Sequence, residues 1–353
     1  VLLKITHQTR FRYTEPVSQT VFAVRMAPSS DEDQTVLSFQ LQATPPAGLI
    51  SYRDGFGNRV DLFSVAAAYR ELRLDAMSLV RTHRRPAAAR LGEIQWNPQW
   101  SDGLEAAEFG GRSPLVDADS RLEALVAELP SPASVPLRDY FPALMDALRK
   151  RFEYDKRATT ERTPLSEALR LGRGVCQDFA HLCIGVCRSL GLPARYVSGY
   201  VNHPGEIATH AWCQVWCGPD VEWLDLDPTT ARFADDDHVV IAIGRDYSDV
   251  PPNRGVWKGE GEERMEVAVR VETLERLPSS WETRDGEPID RRLGALPTTR
   301  LESRRIGESQ AWPPYPDQPL PQALLYRQQG QQQQQIGPDG RSTRLASGPP
   351  GGV

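Results

Sequence analysis

Gly172-Arg173-Gly174-Val175-Cys176-Gln177-Asp178-Phe179-Ala180-His181-Leu182 is the stretch on which the reading of this chain turns. It is glycine-rich up to Val175. From Gln177 onward Phe179, Leu182, Cys183, Val186 and Leu190 recur at helical spacing, and Gly191 followed by Pro193 supplies a stop signal. The spacing predicts a helix that Cys176 opens. A thiol at that point faces unpaired backbone N–H groups and the positive end of the helix dipole. Such surroundings favour thiolate and bring a cysteine pKa from about 8.5 into the range of roughly 3.5–7.5. Free cysteines are also commonly buried as small core residues, so the helix start alone leaves a nucleophile and a core thiol both open.

Working outward, Ala194 to Val201 (ARYVSGYV) reads as a strand and Asn202 to Thr209 as a loop. His210 to Cys217 (HAWCQVWC) alternates strictly, so His210, Trp212, Gln214 and Trp216 share one face of a second strand. Gly218-Pro219-Asp220 then leads into a third strand, Glu222 to Asp227, which Pro228 ends. A two-residue turn would demand positive φ at Pro219, which proline cannot adopt, so a four-residue loop from Gly218 to Val221 is expected. Cys217 then pairs with Glu222, Gln214 lies opposite Asp225, and Trp212 lies opposite Asp227. Both acids point to the His210 face, Asp227 diagonal to the imidazole and Asp225 one pleat repeat farther. Asp227 is the better orienting partner, and Asp225 reads as a supporting or surface group. A slip or bulge of one residue would reverse these faces.

Cysteine, histidine and aspartate in this order, on a helix start and two strands, make a nucleophile, a general base and an orienting acid. The strings GVCQDFAHL (174–182), LGLPARYVSGY (190–200), HAW (210–212) and DPTT (227–230) resemble the transglutaminase-like superfamily, which shares the papain-like arrangement. DGFGNRV (54–60) and GRDYSDVPPNRGVWKG (244–259) resemble its bacterial branch. The resemblance implies an α+β fold, with a papain-like core preceded by an amino-terminal β-sandwich. It implies Cys176, His210 and Asp227 as the catalytic triad and a thioester intermediate formed on an amide carbonyl of a protein or peptide substrate. Hydrolysis of a peptide or isopeptide bond is the first expectation, and acyl transfer to an amine the second. A non-catalytic binding or scaffold module is the reading from another class. No cofactor and no metal are called for. The calcium dependence of eukaryotic relatives is not carried over, because no calcium-binding loop is recognisable and Asp235-Asp236-Asp237 reads as a solvated acidic turn.

The other thiols do not suggest a zinc site. Cys183 and Cys187 are one helical turn apart, but Cys213 and Cys217 on a strand stand about 13 Å apart and cannot meet at one ion. Five cysteines, none before residue 176, give no disulfide framework. A length of 353 residues suggests two domains or more, and a net charge of −6 leaves no basic footprint for nucleic acid. No apolar run has the length of a membrane helix, and VLLKITHQTRFRY turns polar too early for a signal peptide, so a cytoplasmic location is expected.

Four parts are expected along the chain: residues 1–83, an antiparallel β-rich domain; 84–119, a charged, Trp-containing linker; 120–272, the catalytic core; and 273–353, a Pro- and Gln-rich disordered tail. In the first, Ile5, His7, Thr9, Phe11 and Tyr13 alternate with polar residues, as do Leu37, Phe39 and Leu41, and Leu72, Leu74 and Ala76 lead to Val80. In the core, Leu122, Leu125 and Leu129 mark one helix, and Leu137, Phe141, Leu144, Leu148 and Phe152 another. Pro164, Leu165, Ala168 and Leu169 form a shorter stretch before Cys176, and Met265 to Val271 reads as the core's last strand. His7 belongs to a half-buried strand face. His181, about 140° around and ~7.5 Å along the helix from Cys176, is a structural residue rather than the base. His203 lines the cleft or faces water, while His83 and His238 carry no partner signal. Asp178 stabilises the helix start. The oxyanion needs the Cys176 N–H and one more donor, for which Gln177, Trp212 and residues of the preceding helices are candidates. Trp212 and Trp216 are either an aromatic acceptor wall or core.

Overall fold

The computed structural model describes residues 1–203 and 209–277, with the short stretches 333–336 and 342–343. Alternation in the first residues dictates a strand with one buried face, and β1 carries it from Leu2 to Val24, much longer than the short strand expected. β2 (Gln34–Thr44), β3 (Leu49–Arg53), β4 (Arg59–Val65) and β5 (Tyr69–Thr82) follow. β5 pairs with the first half of β1 and β4 with the second. Between the halves the register shifts and Gln19 adopts φ 49°, which bends the strand. The rings of Phe11 and Phe22, one from each half, lie 5.0 Å apart across the core. The layers of the expected sandwich are therefore two arms of one curled antiparallel sheet sharing β1. β2 is shifted by a bulge between Val36 and Ser38. Val36, Ser38 and Ala43 are buried there, while Leu37, Phe39 and Leu41 stay half-buried, the reverse of the expected face.

The stretch 84–119, expected as a linker, is packed. It holds the short helices α1 (Ala87–Leu91) and α2 (Leu104–Phe109), and it buries Leu91, Phe109 and the guanidinium groups of Arg84 and Arg90. α3 (Ser120–Ala127) starts where the Asp119 carboxylate accepts the N–H groups of Arg121 and Leu122. α4 (Leu137–Arg151) buries Leu137, Tyr140, Phe141, Leu144, Met145 and Leu148, one apolar stripe. β6 (Glu153–Tyr154), α5 (Leu165–Leu171) and β7 (Arg173–Gly174) lead to α6 (Cys176–Ser189). β8 (Ala194–Val201), β9 (Thr209–Trp216), β10 (Trp223–Asp227), β11 (Arg232–Phe233) and β12 (His238–Gly244) form a second antiparallel sheet in the order β11-β10-β9-β8-β12. α6 packs on its centre, where Leu182, Cys183, Val186 and Cys187 meet the buried Tyr196, Cys213 and Val215.

β13 (Asn253–Lys258) and β14 (Glu263–Thr273) return to β1, β13 beside its second half and β14 beside its first. The strand expected to end the core thus completes the amino-terminal sheet, and the chain ties the two sheets together twice. β15 (Gln333–Ile336) runs parallel to β13 and pairs with β16 (Ser342–Thr343), so part of the glutamine run expected as disordered adds a strand. The rest of the expected tail beyond residue 277 lies outside the described residues. Among the described residues no helix is long and apolar enough to cross a membrane.

Candidate active site

The approach to Cys176 is fixed before the helix begins. β6 and β7 pair in parallel, Glu153 with Arg173 and Tyr154 with Gly174. A Cβ on Gly174 would fall 2.3 Å from Asp178 Oδ2, so glycine is what lets the Asp178 carboxylate fold back over the chain. There Oδ2 accepts the Val175 N–H at 2.8 Å and the Thr159 hydroxyl at 2.6 Å. This is one half of a capping box, and Val175 offers no side-chain acceptor for the other half. Asp178 is thus the expected stabiliser of the helix start, and burial raises its carboxyl to about 6 against the pull of these hydrogen bonds. The N–H groups of Cys176 and Gln177, in the first turn, have no acceptor within the helix. Cys176 is half-buried and borders a cleft, whereas Cys183, Cys187, Cys213 and Cys217 are buried and free.

β9 and β10 pair in the register that Pro219 demands. The Cys217 N–H donates to the Glu222 carbonyl, Trp216 faces Trp223, Gln214 faces Asp225, and Cys213 faces Leu226. Asp227 Oδ2 accordingly lies 3.0 Å from His210 Nε2. That leaves Nδ1 available to Cys176, the group whose interaction also acts on the imidazole. Burial alone would lower the His210 imidazolium, but the hydrogen bond to Asp227, the interaction with Cys176 and the charges of both outweigh it and raise the ring to about 10. Burial pushes Asp227 up, and the hydrogen bonds from His210 and Thr230, with the His238 imidazole 3.5 Å away, more than reverse this, holding it well below the usual carboxylate range. The DPTT turn itself serves the carboxylate: Oδ1 accepts the Thr229 N–H at 3.0 Å and Oδ2 the Thr230 hydroxyl at 2.6 Å.

Two partners were not read from the sequence. His238, on the far edge strand, is fully buried with Nε2 3.5 Å from Asp227 Oδ2 and Nδ1 2.8 Å from Asp235 Oδ1. Asp235, about half exposed at the start of the expected acidic turn, is also the anchor of a buried imidazole, and its hydrogen bond to His238 lowers it to about 2. The only local signal is an acid three residues before His238. Asp225 is no surface group either. It is 4% exposed, accepts the Trp212 indole N–H at 2.6 Å and pairs with Arg84 at 2.8 Å. The Trp212 ring stacks on His210, with centroids 6.1 Å apart. Gly199 makes room for it, since a Cβ there would meet the indole at 2.1 Å.

These contacts decide several expectations. The Trp212 N–H is committed to Asp225 and is not a free oxyanion donor. Trp216 packs on Trp223, with ring centroids 5.4 Å apart, and neither Trp212 nor Trp216 lines the cleft. His181 is structural as expected: its Nε2 accepts the Tyr247 N–H at 3.2 Å, and burial lowers the ring to about 4. His7 does more than sit on a strand face. It is buried, bonds the Tyr200 hydroxyl at 2.6 Å, and borders the same cleft as Cys176. His203 stands 3.7 Å from Asp237. Ligand atoms of His210, Asp227 and His238, and of His203, Asp235 and His238, lie within 4.8 Å of one another, a spacing compatible with a divalent ion. Among the described residues the cysteines form no such group. The cleft encloses about 970 Å³ and draws on both sheets: Cys176, Gln177, Tyr196 and His210 from the core, and His7, Arg25 and Asn253 from the amino-terminal sheet.

The family model described as the transglutaminase-like superfamily matches residues 123–228, and that of the bacterial transglutaminase-like N-terminal region matches residues 3–81. An uncharacterised protein of Mycobacterium leprae is 30% identical over 287 residues, 77% of this chain and 99% of the relative. One of Mycobacterium tuberculosis is 32% identical over 292 residues, 77% of this chain and 93% of the relative. This chain belongs to the transglutaminase-like superfamily. A solved structure from Cytophaga hutchinsonii, named a putative cysteine protease, shares the fold with TM-score 0.64 at 22% identity, covering 78% of this chain and 92% of the other. Cys176, His210 and Asp227 all fall inside the transglutaminase-like match, and His238 lies beyond it.

Proposed function

We propose that this transglutaminase-like protein is a cysteine peptidase or amidase that hydrolyses a peptide or isopeptide bond. The observation that carries the reading is the His210 imidazole, held by Asp227 through Nε2 at 3.0 Å and raised by its interaction with Cys176, both on the wall of an open cleft. In this mechanism the Cys176 thiolate attacks the amide carbonyl carbon, while the Cys176 backbone N–H stabilises the oxyanion. The His210 imidazolium then gives its proton to the leaving amine as the C–N bond breaks, which leaves a thioester on Cys176. His210, now neutral, takes a proton from water, whose oxygen attacks the thioester; the C–S bond breaks and releases the carboxylic acid, restoring the Cys176 thiolate beside the His210 imidazolium. Asp227 fixes the ring and stabilises its charged form.

Water is favoured over an amine as acceptor because the tryptophans that would have made an acceptor wall are occupied elsewhere, Trp212 with Asp225 and Trp216 with Trp223. The five unpaired thiols suit a reducing compartment such as the cytoplasm. The test is mass spectrometry of products formed from glutamine-containing and isopeptide-linked peptides with a labelled primary amine in excess. Free carboxylate as the main product, absent with Cys176→Ala, supports hydrolysis. A dominant amine adduct makes the protein a transferase. Turnover that survives in Cys176→Ala removes the thiol mechanism altogether.

A further inference from the structure

The cleft carries the opposite charge balance to the chain. The whole sequence has 41 Lys and Arg against 47 Asp and Glu. Around the cleft Arg25, Arg149, Lys156 and Arg157 stand against only Glu153 and Glu161. Arg25 is paired with Asp54 at 3.1 Å, and Glu161 lies 3.6 Å from Arg162. No described carboxylate pairs with Arg149, Lys156 or Arg157 within the 4.0 Å that defines an ion pair.

The segment bearing two of these cations is pinned to the start of the Cys176 helix on both sides. The Asp155 N–H donates to the Gly174 carbonyl at 2.9 Å, and the Tyr154 ring lies 6.3 Å from that of Phe179. Beyond the basic pair, the Thr159 hydroxyl donates to Asp178, and the Gln177 amide donates to the Glu161 carbonyl at 3.2 Å. Lys156 and Arg157 are therefore held between anchors that grip residues 174, 177 and 178, on either side of the nucleophile. On the opposite wall Asn253, only 2% exposed, borders the cleft with its side-chain oxygen unpartnered among the described residues. A buried amide left that way lacks a hydrogen bond that a peptide group can supply.

Resting on the thiol-enzyme reading, we infer that the substrate is an acidic peptide, whose Asp or Glu carboxylates lie on Lys156, Arg157 and Arg149 while Asn253 engages its backbone. Cations held beside a reacting centre raise the local concentration of anions, and the effect fades as salt shortens the reach of their field to a few ångströms.

Iodoacetate and iodoacetamide, nearly equal in size and different in charge, read this field at Cys176 without any turnover. The quantity is the ratio of their alkylation rates at Cys176, divided by the same ratio for an unstructured thiol. Because the His210 charge also attracts iodoacetate, the decisive comparison is the wild type against Arg149→Gln/Lys156→Gln/Arg157→Gln, in which His210 is intact. The ratio is expected to fall on the order of tenfold in the triple variant and to fall likewise for the wild type at high salt, with the iodoacetamide rate unchanged. Alongside it, kcat/KM for an acidic peptide should exceed that for its Gln/Asn counterpart, and the triple variant should erase the preference. An unchanged alkylation ratio, or a neutral peptide cleaved as well as the acidic one, overturns the inference and leaves the hydrolase reading standing. Iodoacetamide alkylation no faster than at an unstructured thiol sinks the hydrolase reading, and the ratio still reports the charge of the cleft.

Discussion

Asp225 and Asp227 stand two residues apart on the same face of β10, and they are built into different machines. Asp227 faces the Thr229 N–H and the Thr230 hydroxyl of its own turn and, beside them, two imidazoles, whose protons can move. Asp225 faces an indole N–H and the guanidinium of Arg84, whose protons cannot. Arg84 is in turn 3.4 Å from Asp33, which also meets Arg90 at 3.1 Å, so Asp225 belongs to a buried cluster that joins the strand to the stretch 84–119. Identical side chains one pleat repeat apart thus divide the labour: one holds the His210 imidazole, and the other fixes the tryptophan against which that imidazole stacks.

The sharpest way to break this comparison is a pair of isosteric substitutions. Asp227→Asn should lower kcat/KM by about 10³- to 10⁴-fold, because the imidazole loses both its orientation and the charge that supports its protonated form. Asp225→Asn should cost less than about tenfold in rate but about 3 kcal/mol or more in stability, since it leaves the buried Arg84 without its closest carboxylate. Steady-state kinetics and urea midpoints on the same two proteins measure this crossing. Equal losses in both quantities would mean that the carboxylates share one role.

His238→Gln sharpens the comparison on the Asp227 side, with an expected loss on the order of tenfold in kcat/KM, because His238 contacts the acid and not the nucleophile. pH gives a smaller and independent signal. His210 is raised to about 10 in the folded protein from an ordinary 6.5. Between those values the folded state holds more protons than the unfolded, so the stabilisation is complete below 6.5 and disappears as pH rises through about 10. Urea unfolding across that window should show a falling stability for the wild type and a flatter profile for His210→Gln. Two parallel profiles would remove His210 from the buried charge network. Asp227 is displaced in the other direction, so its contribution is present above the ordinary carboxylate range and lost as pH falls below it.

The parts of this site that the sequence made legible are those decided by neighbouring residues. Pro219 excludes a two-residue turn, and with the period of two along β9 and β10 this brings Asp227 to His210. Gly174 and the apolar spacing after Gln177 start the helix at Cys176. What was hidden depends on chain segments that meet only in the fold. His238 reaches Asp227 because β12 crosses to pair with β8 at the far edge of the sheet, a choice of partner that alternation does not encode. Arg84 reads as a charged linker residue until Asp225 is placed opposite it. In the amino-terminal sheet, alternation marks β1 and β14 as strands yet says nothing of their being neighbours, and the bulge in β2 moves Leu37, Phe39 and Leu41 off the predicted face.

The measurement closest to the central claim is the rate and position of covalent labelling by an electrophilic peptidyl ketone at neutral pH, mapped by peptide mass spectrometry in the wild type and in Asp227→Asn. The account predicts modification at Cys176 alone, slowed by about 10³-fold in the variant, with Cys213 and Cys217 untouched because burial pushes their thiols up. Labelling at Cys183 or Cys187, or equal rates at Cys176 in the two proteins, would contradict it.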